Sequence, residues 1–360
     1  MSSAVDLTDL RRRVQLEIDA ELARQRGVLA QLGPDMDPLL DSITSLLRGG
    51  KRLRAAFCYY GYRGCGGTHD AAAVRAATAM ELFQAGALLH DDVMDDSDTR
   101  RGAPAAHRVF EREHAARGWD GRSDRFGAAG AILAGDLCLV WCDEMIATCG
   151  WPAEQLQSAR PEFDAMRTQL MGGQFLDVLA SARGWEGLST RERLDQATRV
   201  IRFKSARYSI EQPLLIGARA AGAAPADLEQ LSAYGAALGE AFQLRDDILG
   251  VFGDPATTGK PAGDDIREGK RTVLLAWALD AGAPAAATIE SALADPDLTH
   301  AQVDEVRRAV QSTGALERTE DRISALTARA REALNAATTL TEHGRAVLDH
   351  LVDVATDRVA

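Results

Sequence analysis

The stretch Leu88-Leu89-His90-Asp91-Asp92-Val93-Met94-Asp95-Asp96 places four aspartates at the end of an apolar helical segment, residues 79–89. On a helix, Asp91 and Asp95 share a face because they lie four residues apart. Like charges at this spacing repel each other, and negative charge is also unfavourable at a helix C-terminus. Mg²⁺ would explain the cluster, because it prefers carboxylate oxygens. Taken alone, the cluster fits a solvated acidic helix end equally well.

A second acidic pair ends another apolar helical segment far downstream, in the sequence Phe242-Gln243-Leu244-Arg245-Asp246-Asp247. Two acidic helix ends can face each other across a helical bundle, and bundle cores build metal sites from side chains on facing helices. The presence of two such clusters therefore favours a metal site over a solvated surface.

Basic residues accompany both clusters, although the chain as a whole carries a net charge of −12. Arginine offers forked hydrogen bonds to phosphate oxygens, and lysine offers a point charge. Any one of these residues alone is better explained as a solvated surface charge. Together with carboxylates and Mg²⁺, they form the combination that a diphosphate group requires. They occur in the segments Gly49-Gly50-Lys51-Arg52-Leu53-Arg54, Arg100-Arg101-Gly102, Lys204-Ser205 and Thr258-Gly259-Lys260, and at Lys270.

Composition limits the fold and the class of function. The 360 residues are 46% hydrophobic and 26% charged, as expected for a globular protein with a core. Gly and Pro divide the chain into helix-sized pieces rich in Ala, Leu and Arg, and no segment alternates with the period of a strand. The acidic charge argues against nucleic-acid binding. We find no signal peptide and no transmembrane segment, since the best apolar run, residues 128–145, contains Asp136, Asp143 and Glu144. We therefore expect a cytoplasmic protein.

These motifs, in this order, resemble those of the trans-isoprenyl diphosphate synthases, also called polyprenyl synthetases, and most closely the bacterial geranylgeranyl diphosphate synthases. The resemblance implies a single all-α domain over residues 1–360 with the isoprenoid synthase fold, in which helices surround a deep central cavity. It also implies a homodimer that joins isopentenyl diphosphate to an allylic diphosphate with about three Mg²⁺ ions. Further matching segments are Asp98-Thr99-Arg100-Arg101-Gly102, Ala134-Gly135-Asp136, Gly259-Lys260-Pro261 and Gly269-Lys270-Arg271-Thr272.

The resemblance assigns roles to residues by position. The metal ligands would be Asp91, Asp95 and Asp246. The carboxylates that act through water or support these ligands would be Asp92, Asp96 and Asp247. The allylic diphosphate would be held by Arg100, Lys204, Ser205, Gln243 and Lys260. Isopentenyl diphosphate would be held by Lys51, Arg54, Gln84 and Arg101. The catalytic set is Asp91, Asp92, Asp95, Asp246, Asp247, Arg100 and Lys204. Because the released diphosphate can take the proton, we interpret His90 as a hydrogen-bonded helix residue.

The main departure from the family pattern lies in the second acidic motif. The second motif usually continues Asp-Asp-x-x-Asp, but Gly250 stands in place of the third aspartate. Asp254 lies four residues further on, although Gly253 and Pro255 make it a poor substitute within a continuous helix. The missing acid leaves open a non-catalytic subunit of a heteromeric synthase. A class I terpene cyclase is the other alternative, and it is disfavoured because that family needs Ser or Thr at position 250.

Residues before the first motif indicate the product length. In the family the growing chain runs along this helix, where Ala87 lies about 6 Å and Phe83 about 12 Å below Asp91. The small residues Gly86 and Ala87 would leave the cavity open, and Phe83 would form its floor. This arrangement predicts geranylgeranyl diphosphate. A longer polyprenyl product is the alternative if Phe83 points away, and a farnesyl diphosphate synthase is a further alternative.

Overall fold

The computed structural model describes residues 3–253, 263–293, 295 and 297–357, and this part of the chain is almost entirely helical. The predicted all-α class is therefore confirmed. The α-helices are α1 (Ser3–Leu29), α2 (Asp37–Leu47), α3 (Leu53–Gly64), α4 (Asp70–Met94), α5 (Ala106–Arg117), α6 (Ser123–Ala147), α7 (Ala153–Arg183), α8 (Thr190–Val200), α9 (Gln212–Ala220), α10 (Pro225–Phe252), α11 (Asp264–Arg267), α12 (Val273–Asp280), α13 (Ala285–Ala292), α14 (His300–Ser312), α15 (Ala315–Ala336) and α16 (Glu342–Thr356). The remaining elements are 3₁₀ turns at Ala30–Leu32 and Pro34–Met36, a π-helix at Ile201–Glu211, and the strands β1 (Thr99–Arg100) and β2 (Ala103–Pro104).

The chain divides into two compact helical units, and α4 is the central helix of the first. This unit comprises Met1–Pro161, Pro213–Ala224 and Thr339–Val347. Helix α4 packs against α3 and α6, and most of its residues are buried. A Cβ atom on Gly86 would lie 2.9 Å from the carbonyl oxygen of Gly135 and 3.0 Å from Leu139 Cδ2, both on α6. Glycine at position 86 therefore allows the two helices to cross at close range.

Helix α10 is the central helix of the second unit. This unit comprises Glu162–Gln212, Pro225–Thr338 and Leu348–Ala360. Helix α10 packs against α15 and against the π-helix. Two glycines permit the second contact, because a Cβ atom on Gly239 would lie 2.7 Å from Ala206 Cα, and one on Gly235 would lie 2.6 Å from Glu211 Cα. The single domain over residues 1–360 stays a prediction.

Helix α6 is, within the described ranges, the one helix that is long and apolar enough to cross a membrane. Only 39% of its most apolar 18-residue window is buried. The buried side, which includes Cys138, packs against α4, while Ile132, Leu133 and Val140 are exposed on the other side. A single helix of this kind is weak support for a membrane span, because core helices of soluble proteins meet the same criterion.

Candidate active site

The first acidic motif lies at the C-terminal end of α4. The backbone N–H of Asp95 donates to the carbonyl oxygen of Asp91 at 2.8 Å and closes the last turn. The buried Asp92 accepts at Oδ1 from Nε of Arg100 at 2.8 Å, and also from its Nη2. Nη2 of Arg100 lies 4.0 Å from Oδ2 of Asp91, whose side chain is 18% exposed. The structure therefore brings Asp91, Asp92 and Arg100 together, as the sequence predicts.

Arg100 reaches this motif because residues 99–104 form a hairpin. The two strands pair antiparallel, with Arg100 opposite Ala103. Arg101 and Gly102 form the turn and have φ angles of 53° and 76°. A type I′ hairpin turn requires positive φ at both of these positions. Sequence analysis did not identify these two strands, because strands of two residues show no alternation that a sequence pattern can reveal.

A cluster of guanidinium groups lies beside the hairpin. Nη1 of Arg101 donates to the carbonyl oxygen of Leu46 at 2.7 Å, and a Cβ atom on Gly50 would lie 3.6 Å from the same guanidinium. Burial lowers the pKa of Arg101, and the nearby positive charge of Arg52 lowers it further, as does that of Arg100. Like charges at close range disfavour their charged forms. This cluster is therefore a candidate site for an anion.

A buried ion pair holds the segment before α3. Arg52 has a φ angle of 53°, and its Nη1 donates to Oε2 of Glu81 at 3.1 Å, with both side chains 3% exposed. Oε1 of Glu81 also accepts from the backbone N–H of Ala55 at 3.2 Å. Arg52 thus has a structural role, while Lys51 is exposed and Arg54 is buried at the start of α3. Sequence analysis missed Glu81, since nothing in the sequence relates it to a residue so far upstream.

A cavity of about 610 Å³ opens beside the same segment. Arginine dominates its charged lining, which suits an anionic ligand better than a cation. The lining residues are Arg11, Arg12, Gln15, Asp19, Thr44, Arg48, Gly49, Gly50 and Arg52.

His90 turns away from the acidic motif toward α6. Its Nε2 lies 3.0 Å from the carbonyl oxygen of Ile132 and 3.4 Å from Oδ1 of Asp136. A Cβ atom on Gly135 would overlap the imidazole ring, so glycine at this position makes room for His90. These contacts confirm His90 as a hydrogen-bonded helix residue. They also explain the Ala134-Gly135-Asp136 segment by packing.

One stripe along α4 is half-buried, whereas most of the helix is buried. It consists of Gln84, Ala87, Leu88 and Asp91. Their spacing of three and four residues places them on one side of the helix. Phe83 is 1% exposed and lies one turn before Ala87. Gly86 lies off this stripe at the crossing with α6, so helix packing accounts for its small size.

The second acidic motif lies near the end of α10. Asp246 is exposed, whereas Asp247 is buried and accepts at Oδ1 from Nε2 of Gln243 at 2.8 Å. Among the residues that the structure describes, no donor reaches Oδ2 of Asp247. Burial holds the pKa of Asp247 well above its usual range, and the carboxylates of Asp265 and Asp246 raise it further. A cation would relieve this accumulation of negative charge.

Lys204 and Ser205 lie on the π-helix, a conformation that is often found at functional sites. Nζ of Lys204 forms an ion pair with Oδ2 of Asp177 on α7, with side chains 19% and 11% exposed. Gly173 lets α7 approach, because a Cβ atom there would overlap the backbone of Phe203 and Lys204. Asp177 therefore sets the position of the lysine, a role that sequence analysis did not assign. The predicted residues Lys260 and Asp254 lie outside the described residues.

A model of the polyprenyl synthetase family matches residues 37–312, a range that includes both acidic motifs and the basic segments. The chain belongs to the polyprenyl synthetase family. The synthase is accordingly a trans-prenyltransferase.

Relatives of the synthase make products of several lengths. A geranylgeranyl pyrophosphate synthase from Corynebacterium glutamicum, solved with isoprenyl diphosphate and magnesium, is 39% identical, with 98% of each chain covered and a TM-score of 0.89. A geranylfarnesyl diphosphate synthase from Aeropyrum pernix is 32% identical over 325 residues, covering 88% of this chain and 93% of the relative. A nonaprenyl diphosphate synthase from Mycobacterium tuberculosis is 29% identical, covering 96% and 91%. The family therefore fixes the reaction and leaves the product length to the individual protein.

The carboxylates of the synthase suit Mg²⁺ that is shared with a substrate. In residues 3–253, 263–293, 295 and 297–357, no three His, Cys, Asp or Glu side chains form a ready-made metal site. Mg²⁺ is usually bound through one or two carboxylates, with water and substrate phosphates completing its shell. The buried Oδ2 of Asp247 and the half-buried Asp91 are hard oxygen groups of the kind that Mg²⁺ prefers. The donor set thus fits Mg²⁺ bound together with a diphosphate.

Proposed function

We propose that the synthase condenses isopentenyl diphosphate with allylic diphosphates to form geranylgeranyl diphosphate. The observation that carries this proposal lies at the end of α4. There Nε of Arg100 donates to Oδ1 of Asp92, and Nη2 of Arg100 lies 4.0 Å from Oδ2 of Asp91. One helix end thereby combines carboxylates for Mg²⁺ with a guanidinium for phosphate oxygens. The similarity to the Corynebacterium synthase, which was solved with magnesium and isoprenyl diphosphate, supports the metal, the substrate class and the product.

The residues at both motifs stabilise the leaving diphosphate. Mg²⁺ ions, about three in number, would supply Lewis-acid stabilisation of the charge that develops there. Their carboxylate ligands would be Asp91, Asp95 and Asp246, supported by Asp92 and Asp247. Arg100 and Lys204 donate hydrogen bonds to the diphosphate oxygens, and Asp92 and Asp177 hold these two side chains in position. Further contacts to the allylic diphosphate are assigned to Ser205, Gln243 and Lys260.

The condensation needs no side-chain base. The allylic C–O bond breaks, and its electron pair remains on the diphosphate. The double bond of isopentenyl diphosphate attacks the resulting carbocation, and the proton then lost passes to the released diphosphate. His90 takes no part, because its Nε2 contacts the backbone of α6. The apolar members of the α4 stripe, Ala87 and Leu88, exclude water that would otherwise quench the cation.

Isopentenyl diphosphate binds at the basic cluster of the first unit. We assign its diphosphate to Lys51, Arg54 and Arg101, since the guanidinium groups near Arg101 create a positive potential. Gln84 lies on the same stripe of α4 as Asp91, two turns earlier, and supplies a neutral donor. Position 84 therefore lies on the side of α4 along which the hydrocarbon chain of the product would extend.

Phe83 sets the product length from one turn below Ala87. It is 1% exposed, as expected for a side chain that closes the end of a channel. Phe83→Ala should therefore lengthen the product, since the phenyl ring no longer blocks the chain. The measurement is the distribution of prenyl alcohols after dephosphorylation. Phe57→Ala, which removes another buried phenyl ring of the same unit, is the control and should leave the length unchanged. An unchanged product from Phe83→Ala contradicts the assignment.

A second copy of the chain covers the exposed apolar side of α6, giving a cytoplasmic homodimer. Leu133 and Val140 are 55% and 61% exposed, and Asp136 lies between them with its side chain 56% exposed. A carboxylate in this position is unfavourable within a bilayer but compatible with a protein interface. Val140→Lys should give a monomer by size-exclusion chromatography with light scattering, while the control Val28→Lys on α1 should stay dimeric. A Val140→Lys variant that stays dimeric contradicts this interface.

One incubation tests the proposed reaction. Purified protein with Mg²⁺, labelled isopentenyl diphosphate and each allylic primer in turn should give a discrete geranylgeranyl alcohol after dephosphorylation. A shorter or longer alcohol would retain the reaction and overturn the proposed product. Failure to incorporate label with every primer would overturn the catalytic proposal in favour of a non-catalytic subunit.

A further inference from the structure

The cavity of about 610 Å³ in the first unit has no part in the reaction described above. Its walls come from α1, from α2 and from the segment that follows α2, and we call it the α1–α2 cavity. A Cβ atom on Gly49, which has a φ angle of 70°, would meet no atom within 4 Å, so this wall leaves the space open. The lining does not include the residues to which we assign isopentenyl diphosphate, Lys51, Arg54, Gln84 and Arg101. The cavity is therefore distinct from that substrate site.

Two arginines bring positive charge to this cavity without a counter-charge. Nε of Arg11 donates to the carbonyl oxygen of Lys51 at 3.1 Å, and Arg48 is exposed. Within the part of the chain that the structure describes, neither residue forms an ion pair with a carboxylate. Asp19 is the single acid of the lining, and its Oδ1 accepts from Nε2 of Gln15 at 2.9 Å. The cavity therefore carries an excess of positive charge in a chain whose net charge is −12.

The two remaining arginines of the lining are held in place. Arg52 is 3% exposed, and besides its ion pair with Glu81 it donates from Nη2 to Oε1 of Gln15 at 2.8 Å. Arg12 pairs with Asp9 at 2.8 Å, with side chains 65% and 51% exposed. An ion pair this exposed contributes about 0–1 kcal/mol, so it leaves Arg12 able to exchange partners. The buried guanidinium thus forms a fixed wall, and the exposed ones can turn toward a ligand.

The character of the lining limits the class of ligand. No aromatic side chain and no Val, Leu, Ile or Met lines the cavity, so it offers no stacking surface to a nucleobase and no apolar contact to a prenyl chain. Guanidinium groups form forked hydrogen bonds with phosphate oxygens. A compact phosphate anion therefore fits better than an ester with a large organic group, and each condensation releases one such anion.

We propose that the α1–α2 cavity binds free inorganic diphosphate and lets the released product weaken the binding of isopentenyl diphosphate. This inference rests on the proposed function, which places isopentenyl diphosphate at the neighbouring basic cluster. Arg11 contacts the backbone of Lys51, and Arg101 contacts the carbonyl oxygen of Leu46 in the same stretch of chain. A diphosphate in the cavity would lower the positive potential around Lys51 and Arg101. The two anions should therefore oppose each other's binding.

Calorimetry on the full-length protein tests the site. Inorganic diphosphate is titrated, in a chelator, into protein that is saturated with isopentenyl diphosphate, and circular dichroism monitors folding. The chelator removes the Mg²⁺ through which the acidic motifs would hold diphosphate, and isopentenyl diphosphate occupies the basic cluster. Arg48→Gln should weaken the binding of diphosphate about tenfold, because a hydrogen bond to a charged group contributes at least that factor. Arg48→Glu should weaken it further.

The matched control is Arg112→Gln. Arg112 is an exposed arginine of α5 that forms no ion pair among the described residues, and it lies outside the cavity lining. This variant should bind diphosphate as the wild type does. An equal loss in Arg112→Gln would overturn the site, because the effect would then be one of general charge.

A second titration tests the coupling. Added diphosphate should weaken the binding of isopentenyl diphosphate more strongly in the wild type than in Arg48→Gln, since both proteins keep any direct competition at the basic cluster. Equal weakening in the two proteins would overturn the coupling between the sites.

The outcomes separate this inference from the proposed function. Protein that binds isopentenyl diphosphate but no further diphosphate overturns only the cavity site. A second equivalent of isopentenyl diphosphate in place of free diphosphate overturns the assignment of the ligand. Wild-type protein that binds no isopentenyl diphosphate overturns the proposed substrate site, whatever the cavity binds.

Discussion

The buried pair of Arg52 and Glu81 should be essential to the stability of the first unit. Both side chains are 3% exposed, and the two charged atoms are 3.1 Å apart. Glu81→Gln keeps the volume of the side chain and removes its charge, so Arg52 remains buried without a counter-charge. Removing one partner of a buried ion pair costs about 3–5 kcal/mol of unfolding free energy. We expect about 3 kcal/mol, because Gln can still accept one hydrogen bond.

Chemical denaturation followed by circular dichroism measures this loss. The matched control is Glu17→Gln, since Glu17 pairs with Arg75 at 3.4 Å with side chains 34% and 32% exposed. A partly exposed ion pair contributes about 0–1 kcal/mol. Equal losses in the two variants, or a loss below 1 kcal/mol for Glu81→Gln, would refute the argument. Where Glu81→Gln still folds, it should also show a raised KM for isopentenyl diphosphate, because Glu81 anchors the segment that carries Lys51 and Arg54.

Three further predictions follow from contacts in the two units. Asp177→Asn should lower kcat/KM for the allylic substrate by about tenfold, since Lys204 loses its ion pair with Asp177, while the KM for isopentenyl diphosphate stays constant. An equal change for both substrates would contradict this positioning role. Gly135→Ala should destabilise the protein by about 1–3 kcal/mol in the same denaturation assay, because its Cβ atom overlaps His90. Removal of Mg²⁺ by a chelator should abolish incorporation of label, and added Mg²⁺ should restore it. Activity that persists in the chelator would contradict the metal requirement.

The helical fold and the acidic motifs could be predicted from sequence because their signals are local. Asp91 and Asp92 lie in the last turns of a long apolar helix. Arg100, which belongs to the next motif along the chain, contacts Asp92 as the sequence led us to expect. The π-helix that carries Lys204 was not predicted, and its close contacts with Gly173 and Gly239 involve two other helices that are distant in sequence. Such packing is a tertiary effect that no local propensity encodes.

The function of small residues was harder to predict than that of charged ones. Gly86 was expected to open the cavity, yet a Cβ atom there would approach α6, and the neighbouring Ala87 lies on the half-buried stripe. Sequence shows that both residues are small, and only the helix orientation shows which neighbour each one faces.

The hairpin at residues 99–104 is a place where the chain should not tolerate insertions or deletions. Arg100 and Arg101 are adjacent, yet the first reaches Asp92 and the second reaches the carbonyl oxygen of Leu46. Arg100 ends a strand and Arg101 begins the turn, so inserting or deleting one residue here would change the direction of both guanidinium groups at once. Most surface loops absorb such insertions at little thermodynamic cost. This turn should therefore keep its length in relatives in which the surrounding loops vary in length. It is a poor site for inserting a foreign segment and a reliable reference point for aligning the sequences of distant relatives.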